Sequence, residues 1–587
     1  MPEGAGRHRE VETKLDADAD FRMPSLDGDP RLAAAGVASV HDGGRIPLRA
    51  VYYDTEGLDL LGSRLTMRRR TGGADAGWHL KLPAGPGART EIRLPLDAGP
   101  SDRVPAGLAD LVRGAARGRE LRPVARIDTD RAVRTLRAAD GTALVEIADD
   151  AVTATAAGPP SPGNRPDGSA GPGPREPLTW REIEVEALPD DPDRAARVLP
   201  VVVDLLIAAG ARPAEASSKV GRTLSGLGGP GGLGGPGGLG GPGGLGGPGA
   251  LGGLGGLSGL GGLGGLGGLG GLGALGGPSA PAPVTGTAGA VLVRYLAEQR
   301  DRLIAADLRM REPDPDAEAP HDLRAAARRI RSVLRVYRAL LLPGGREPVA
   351  SALQRLGGAI SGARDLDVAV VRLGEVAESS PAWSPTEGRV AVAGIRRRLA
   401  ERRADSVARA RRELDSPEHV QLLRDLDGLI GRPPLTEAAH ASPAAVLQPL
   451  LAAAWLRLRA DAETARTALA DSDDPVAAER MHRVRKDAKT VRYAAEAAAG
   501  SGGPFGEAIA AFATEVERVQ DVLGTHQDAV TALALTDRLA EDPDLDAAER
   551  LLLDHWSAAE SERRSSTRTE FAALWRTMPV LPPASGQ

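Results

Sequence analysis

Cysteine is absent from the 587 residues, which excludes disulfides, thiolate zinc sites and cysteine nucleophiles together. Any metal has to be held by oxygen or imidazole. Net charge is nearly absent too, at a formal −6, and that rules out a generic nucleic-acid scavenger. Lysine is scarce: of 73 basic residues only Lys14, Lys81, Lys219, Lys486 and Lys489 are lysines. Because lysine is a compact point charge and arginine a planar fork, each of these five positions is worth following. Long apolar runs are missing as well. The longest uncharged stretch, Thr223 to Val293, is broken throughout by Leu-Gly-Gly and Gly-Gly-Pro, which rejects a membrane span. The opening MPEGAGRHREVETKL has no apolar core of the secretory kind, so a cytoplasmic location is the default.

Glycine (75) and proline (46) are abundant and concentrate in residues 225–286, which read as a flexible low-complexity linker. This divides the chain into domains at 1–224 and 287–587. In the first, HREVETKL, LRAVYYDT, SRLTMRRR, GWHLKLP, ARTEIRLPL, TALVEIADD and LTWREIEVEAL alternate with period 2 between Gly, Pro and Asp turns, the pattern of strands. A helix is expected near Asp193 to Gly210, and a loop insertion between Ala156 and Pro177. The second half is rich in Ala, Leu, Arg and Glu at helical spacing and reads as an all-helical bundle. The fold class is therefore α+β multidomain.

Charge is segregated by strand. Glu10, Glu12 and Lys14 share one strand face, as do Arg68 with Arg70, His79 with Lys81, Arg89 with Glu91 and Arg93, and Glu182 with Glu184 and Glu186. A single such strand reads as a solvated face. Repeated with opposite signs, the pattern points to a shared charged interior, and an antiparallel barrel with a polar lumen sets acidic and basic walls opposite each other. Such a cavity suits a polyanion held by cations, with carboxylates holding Mg²⁺ or Mn²⁺. Tyr52, Tyr53, Trp78 and Trp180 read as packing residues, the two tryptophans on the face away from the charges, and His79 as a candidate phosphate contact.

Glu10-Val-Glu12-Thr-Lys14 resembles the ExExK signature of CYTH domains, the triphosphate tunnel metalloenzymes. TMRRR, WHLKLP, RTEIR, VEIADD and REIEVE follow in the family's order across roughly residues 7 to 222. The resemblance implies an eight-stranded antiparallel tunnel that hydrolyses inorganic triphosphate with Mg²⁺ or Mn²⁺. It implies a catalytic set of Glu10, Glu12, Lys14, Glu184 and Glu186, with Glu10, Glu12, Glu182, Glu184 and Glu186 as metal ligands. It also implies that Lys14, Arg68, Arg70, Lys81, Arg89, Arg131 and Lys219 hold phosphate oxygens. Arg126, Arg93, Glu91, Glu146 and Asp150 are further lumen candidates, with Asp149 and Asp150 left as alternatives for the inward position.

In the second half, His321, Arg324, Arg328, Arg331 and Arg335 recur at three- and four-residue intervals, one continuous helix face. His482, Arg485, Lys489 and Arg492 repeat that register, so the bundle contains an internal repeat. Lys486 and Arg329 lie on adjacent faces. Each copy is followed by a related segment, one with Arg364, Asp365 and Asp367 and one with His526, Gln527 and Asp528. The stripes carry no compensating carboxylates beyond Asp322 and Asp487 on neighbouring faces, a pattern that makes sense where an anionic polymer neutralises it. The alternative is salt bridging to acidic helices within the bundle.

The paired H-x-x-R-x-x-x-[RK]-x-x-R stripes resemble the CHAD domain over roughly residues 288 to 580. That resemblance implies inorganic polyphosphate bound along the stripes and a location that extends to polyphosphate granules; the composition gives no membrane partner, and nucleic acid is a decoy ligand to be separated by competition with polyphosphate. A linker would let the second domain raise the local substrate concentration for the first. Two rivals stand beside this: a polyphosphate-binding or granule protein without turnover, and an enzyme acting on an organic triphosphate such as thiamine triphosphate or ATP. Oligomeric state is not legible in the sequence.

Overall fold

A computed structural model describes residues 6–83, 88–157, 176–226, 286–312, 315, 318–379, 385–469 and 475–583. Most of the expected linker, 227–285, and of the insertion, 158–175, lies outside the described residues. Two compact units divide the chain, the first made of Pro2–Ala106 and Glu120–Gly277, the second of Pro278–Gln587 together with Gly107–Arg119. Among the described residues no helix is long and apolar enough to cross a membrane.

The first unit is a closed antiparallel barrel of eight strands: β1 Gly6–Ala17, β2 Ser39–Asp54, β3 Thr66–Thr71, β4 Gly77–Pro83, β5 Ala88–Leu94, β6 Arg122–Arg137, β7 Ala143–Ala156 and β8 Leu178–Ala187. Their order is β5-β4-β3-β2-β6-β7-β8-β1, and β1 returns to β5. Closure is the work of β1, whose residues 6–11 pair with β5 while residues 12–17 pair with β8. A two-residue strand, β9 Arg212–Pro213, adds to β1. Closing the sheet removes its edges and separates an inner from an outer face at every second residue.

The short helices α1 Pro30–Ala34, α2 Asp59–Gly62 and α3 Ala106–Leu111 fill connections, and α4 Pro192–Ala208 and α5 Lys219–Gly226 follow β8. Asp191 caps α4 by accepting from the Arg194 amide at 2.9 Å, with Pro192 at the first turn. Val198, Val202, Leu205 and Leu206 of α4 bury against the outward-facing Leu15, Ile147, Ile183 and Val185. Each fully buried aliphatic side chain of this exterior core contributes roughly 1.5–3 kcal/mol. Outside the barrel Trp78, fully buried, packs on Tyr53 with ring centroids 5.1 Å apart. A second apolar cluster lies inside, where Val220 and Leu224 of α5 meet Ala50, Tyr52, Ala125, Ile127, Val152 and Ala154, so α5 covers one end of the barrel.

The second unit is helical: α6 Ala288–Met310, α7 Glu318–Val336, α8 Glu347–Ser379, α9 Pro385–Asp415, α10 Pro417–Gly431, α11 Pro443–Ala468, α12 Pro475–Ala499, α13 Gly503–Ala540 and α14 Ala547–Arg576. Its internal repeat is visible as geometry, α7–α8 corresponding to α12–α13. Copies meet where α7 packs on α12: the Tyr337 hydroxyl donates to the Ala494 carbonyl at 2.7 Å, and the Arg329 guanidinium lies 5.3 Å over the Tyr493 ring. Trp556 of α14, fully buried, centres a core with Leu373, Ile395, Leu535 and Leu552.

Candidate functional site

Period-2 alternation in a closed sheet sends Glu10, Glu12 and Lys14 of β1 into the lumen together with Arg68, Arg70, His79, Lys81, Glu91, Arg131, Asp150, Glu182, Glu184 and Glu186. The register decides who meets whom. Lys14 stands opposite Glu184 on β8, and the two side chains form an ion pair. Lys81 reaches Glu10 at 2.6 Å. Arg131 forks onto Asp150 at 2.8 and 2.7 Å and reaches Glu184 at 2.6 Å, a bidentate arrangement that only the planar guanidinium offers. Lys219, carried in by α5, lies 2.6 Å from Glu182, 2.8 Å from Glu184 and 3.0 Å from Asp150.

Burial makes these partnerships matter. Desolvation alone would protonate Glu184, but Lys14, Lys219 and Arg131 hold it well below the usual carboxylate range. Burial likewise opposes the charge on Lys219, and Glu184, Asp150 and Glu182 overcome it, holding its pKa well above the usual lysine value. A different balance holds one turn of the barrel away. Glu12, Glu186 and Glu146 stand directly across from one another on β1, β8 and β7. Burial, Glu10, Glu12 and Glu146 push Glu186 up to about 7, outweighing the opposing Lys81 charge. Burial also raises Glu146 and Glu10.

Three directly opposed carboxylates are destabilising unless something cationic joins them. Among the described residues no basic side chain is within ion-pair distance of Glu186 or Glu146. Glu12 itself lies 3.5 Å from Lys14, and the donors of Glu12, Glu146 and Glu186, with Glu10 beside them, are all hard oxygens, the type a divalent cation takes. Asp150, Glu182 and Glu184, unlike that trio, bring ligand oxygens within 4.8 Å of one another, but there Lys219, Lys14 and Arg131 already supply the countercharge. The expected metal set of Glu10, Glu12, Glu182, Glu184 and Glu186 is therefore spread over two carboxylate groups, with Glu146 and Asp150 joining them.

Opposite the carboxylates, Arg68 hydrogen-bonds the Tyr52 hydroxyl at 3.4 Å and lies 3.7 Å from Glu91. The buried Nε atoms of Arg68 and Arg70 have no hydrogen-bond partner, so part of each fork remains to be used. Glu91, fully buried, gathers Arg93 and, at 3.8 Å, Lys81. Arg89 donates to the Ser217 carbonyl at 2.8 Å. His79 does not present a free ring nitrogen to a phosphate: Nδ1 faces Glu91 and Nε2 the Asp75 carbonyl, both at 2.9 Å.

Two further expectations change, and the choice between Asp149 and Asp150 is decided. Trp180 lies on the same face as the glutamates, since 180, 182, 184 and 186 share parity, and its indole N–H donates to Glu182 at 2.6 Å. Arg126 is exposed on the outer face. Of the two aspartates, Asp150 faces inward, fully buried, while Asp149 takes the fork of Arg181 at 2.8 Å in both bonds. Tyr52, read as packing, also touches a cation; its position opposite Arg68 in the register carried that information.

In the second unit the two stripes converge on a cavity of about 120 Å³ lined by Arg324, Arg328, His482, Arg485 and Lys489, with Asp365, Gln527, Asp528 and Thr531 from α8 and α13. The repeat extends to the partners: Arg324 lies 3.3 Å from Asp365 and Arg485 lies 4.0 Å from Asp528. His482 Nδ1 meets Gln527 Oε1 at 2.7 Å. The Arg364 side chain lies outside the described residues. His321 lies 3.5 Å from Asp322, and Lys486 is exposed.

The outer stripe residues are not in that lining. Arg331 donates to Gln354 at 3.1 Å, and Arg335 lies 3.8 Å from Asp487. Arg492 is clamped by Glu496 at 2.8 Å and Glu517 at 2.6 Å, and Arg329 shares Glu496 at 3.5 Å. The stripe thus does have an i+4 carboxylate, Glu496, and there the salt-bridging alternative describes the molecule.

A CYTH domain family model matches residues 8–200 and a CHAD domain family model residues 294–537. Two uncharacterized proteins of Mycobacterium tuberculosis, from strains CDC 1551 / Oshkosh and ATCC 25618 / H37Rv, are each 34% identical over 533 residues, covering 90% of this chain and 88% of the relative. PptA from Streptomyces chartreusis superposes over 50% of this chain and 100% of its own, with 24% identity and a TM-score of 0.41. The CHAD domain from Ricinus communis covers 52% and 98%, with 21% identity and a TM-score of 0.39.

Proposed function

Starting from a chain that belongs to the proteins joining a CYTH domain to a CHAD domain, we propose that the barrel hydrolyses inorganic triphosphate with Mg²⁺ or Mn²⁺ and that the helical unit binds polyphosphate. The observation that carries this reading is the closed lumen, in which Glu146 and Glu186, without an ion-pair partner among the described residues, stand beside Glu12, itself 3.5 Å from Lys14, and face arginines with unused donors. A lumen that only bound phosphate would need the basic wall alone.

Arg68, Lys81, Arg131 and Lys219 would take phosphate oxygens, exchanging a carboxylate partner for a phosphate at little desolvation cost, since both states are ion-paired, while Arg70 keeps its partner Asp75. Glu12, Glu146 and Glu186, with Glu10, would hold the divalent cation, which when bound supplies charge neutralisation and a more acidic water. Glu186, raised to about 7 by burial and its carboxylate neighbours, would be the group of this set able to hold a proton near neutral pH. Lys14 and Glu184, locked together, would keep β1 and β8 in register so that attack is in line. In the helical unit, Arg324, Arg328, Arg485 and Lys489 around one cavity would bind successive phosphates of a chain, with His482 beside them.

The test is phosphate release from inorganic triphosphate, ATP, thiamine triphosphate and long polyphosphate with Mg²⁺ or Mn²⁺, comparing wild type with Glu10→Ala/Glu12→Ala. Release from inorganic triphosphate, abolished by the double substitution and by chelation, is expected. Release from an organic triphosphate alone would transfer the same machinery to that substrate, and tight polyphosphate binding without any turnover would leave a binding protein.

A further inference from the structure

Arg70 has a partner that the tunnel's chemistry does not explain. β3 runs away from the β2–β3 connection, and Leu58 and Leu61 of that connection belong to one apolar cluster with Val220 and Leu224 of α5. The turn that follows β3 therefore stands at the end of the barrel that α5 does not cover. Gly72 and Gly73 both have left-handed backbone, φ +85° and +75°, and a Cβ on Gly72 would stand 2.2 Å from the Pro47 carbonyl oxygen. Only glycine fits, so the turn's path is set.

That path brings Asp75 back over the lumen. Its carboxylate pairs with Arg70, and its backbone carbonyl accepts from His79 Nε2 at 2.9 Å. The Asp75 side chain is 34% exposed and that of Arg70 only 6%, which puts the carboxylate on the solvent side of the guanidinium. Arg70 is pressed down to about 9 by burial and by the like charges of Arg68 and Arg131, and its Nε is unpartnered. A buried cation crowded by cations is where an anion gains most, and here the chain provides one of its own.

We propose that Asp75 is an internal competitor for the outermost phosphate position and sets the longest phosphate chain the tunnel accepts. This rests on the reading of the barrel as a triphosphate site. With α5 over the opposite end, a chain too long for the lumen has to extend past Arg70, where it meets a carboxylate that is already seated. A short chain leaves the Asp75–Arg70 pair in place. A longer one has to displace it and set two like charges side by side. Asp75 is thus a specificity-determining residue that discriminates through repulsion rather than through a new contact.

The test uses the full chain and kcat/KM for inorganic tri- and tetraphosphate. Asp75→Asn and Asp75→Ala are expected to raise the tetraphosphate-to-triphosphate ratio about tenfold, the worth of one charge-assisted hydrogen bond. Turnover of triphosphate should stay within about twofold, and Asp75→Glu should keep the wild-type ratio. All three substitutions leave the backbone carbonyl on His79, and thermal unfolding checks that the turn survives. An unchanged ratio in Asp75→Asn and Asp75→Ala, in a wild type that turns over triphosphate, overturns the inference while the triphosphate reading stands. A wild type inactive on both chains overturns that reading and this inference with it.

Discussion

The two charged regions of this protein use the same residue types to opposite effect. In the barrel, cations and carboxylates alternate around a closed wall, and Lys219 alone touches three carboxylates while nearly buried. In the helical unit, Arg324, Arg328, Arg485 and Lys489 line a cavity together with Asp365 and Asp528. Charge enclosed in a barrel has to be balanced because desolvation is severe there, whereas a groove on a helical surface tolerates an excess of one sign. The first arrangement suits reaction at a fixed geometry. The second suits binding a polyanion of no fixed length.

The comparison breaks most visibly at Lys219. Lys219→Ala would leave Asp150, Glu182 and Glu184 short of their shared cation, and removing one member of a buried ion network costs roughly 3–5 kcal/mol. Thermal unfolding should show that loss and triphosphate turnover should vanish with it. Lys489→Ala, in the cavity of the helical unit, should leave the melting temperature nearly unchanged. Equal destabilisation by the two substitutions would erase the distinction between the two charge sets.

The next largest effect separates the two proposed functions. Arg485→Ala/Lys489→Ala should weaken polyphosphate binding by roughly ten- to a hundredfold at low salt, and less at high salt, where exposed charges are screened. Triphosphate turnover should not move. Titrations of long-chain polyphosphate at two ionic strengths, beside a turnover assay, check both halves of the statement.

How much of this was legible beforehand depends on the kind of periodicity involved. Strand parity is strict, so Glu10, Glu12, Arg68, Arg70, Lys81 and the glutamates of β8 could be placed on one inner face from the sequence. Parity cannot say which of two adjacent aspartates faces inward when strand boundaries are uncertain, and only the pairing of Asp150 with Glu182 in the register decides it. Nor does it reveal a residue outside the strands, which is why Asp75 passed unnoticed. The helical stripes were legible as stripes, but a stripe spans more than one environment along a helix. His482, Arg485 and Lys489 face a cavity, whereas Arg492, a turn further on, meets α13 at Glu517. Partners from another helix are not written in a local repeat.

A pH experiment sharpens the account of the carboxylate trio. Glu186 is raised to about 7 by burial, Glu10, Glu12 and Glu146, above its ordinary value near 4.5. The folded state therefore keeps a proton that the unfolded chain has lost, and without metal this group's contribution makes stability fall as pH rises from about 4.5 to about 7, by on the order of 1–3 kcal/mol. A bound divalent cation stabilises the ionised form, so Mg²⁺ should raise the melting temperature more at pH 8 than at pH 6. Glu186→Gln should flatten both dependences. A melting temperature indifferent to Mg²⁺ at pH 8 would remove the trio as a cation site.

The smallest expected effect tests whether a stripe acts as a unit. Arg492 belongs to the same helical face as Arg485, yet both ends of its guanidinium are already held, by Glu496 at 2.8 Å and Glu517 at 2.6 Å. To bind a phosphate it would have to give up two carboxylates across a helix interface, and the exchange gains little in a site only partly shielded from water. Arg492→Ala should therefore change polyphosphate affinity by less than about twofold while lowering stability by about 1 kcal/mol, from lost ion pairs and from the lost packing of the guanidinium on Tyr493. A loss of affinity as large as that of Arg485→Ala, with stability unchanged, would mean that the chain binds along the whole stripe and that Glu496 and Glu517 release Arg492 to it.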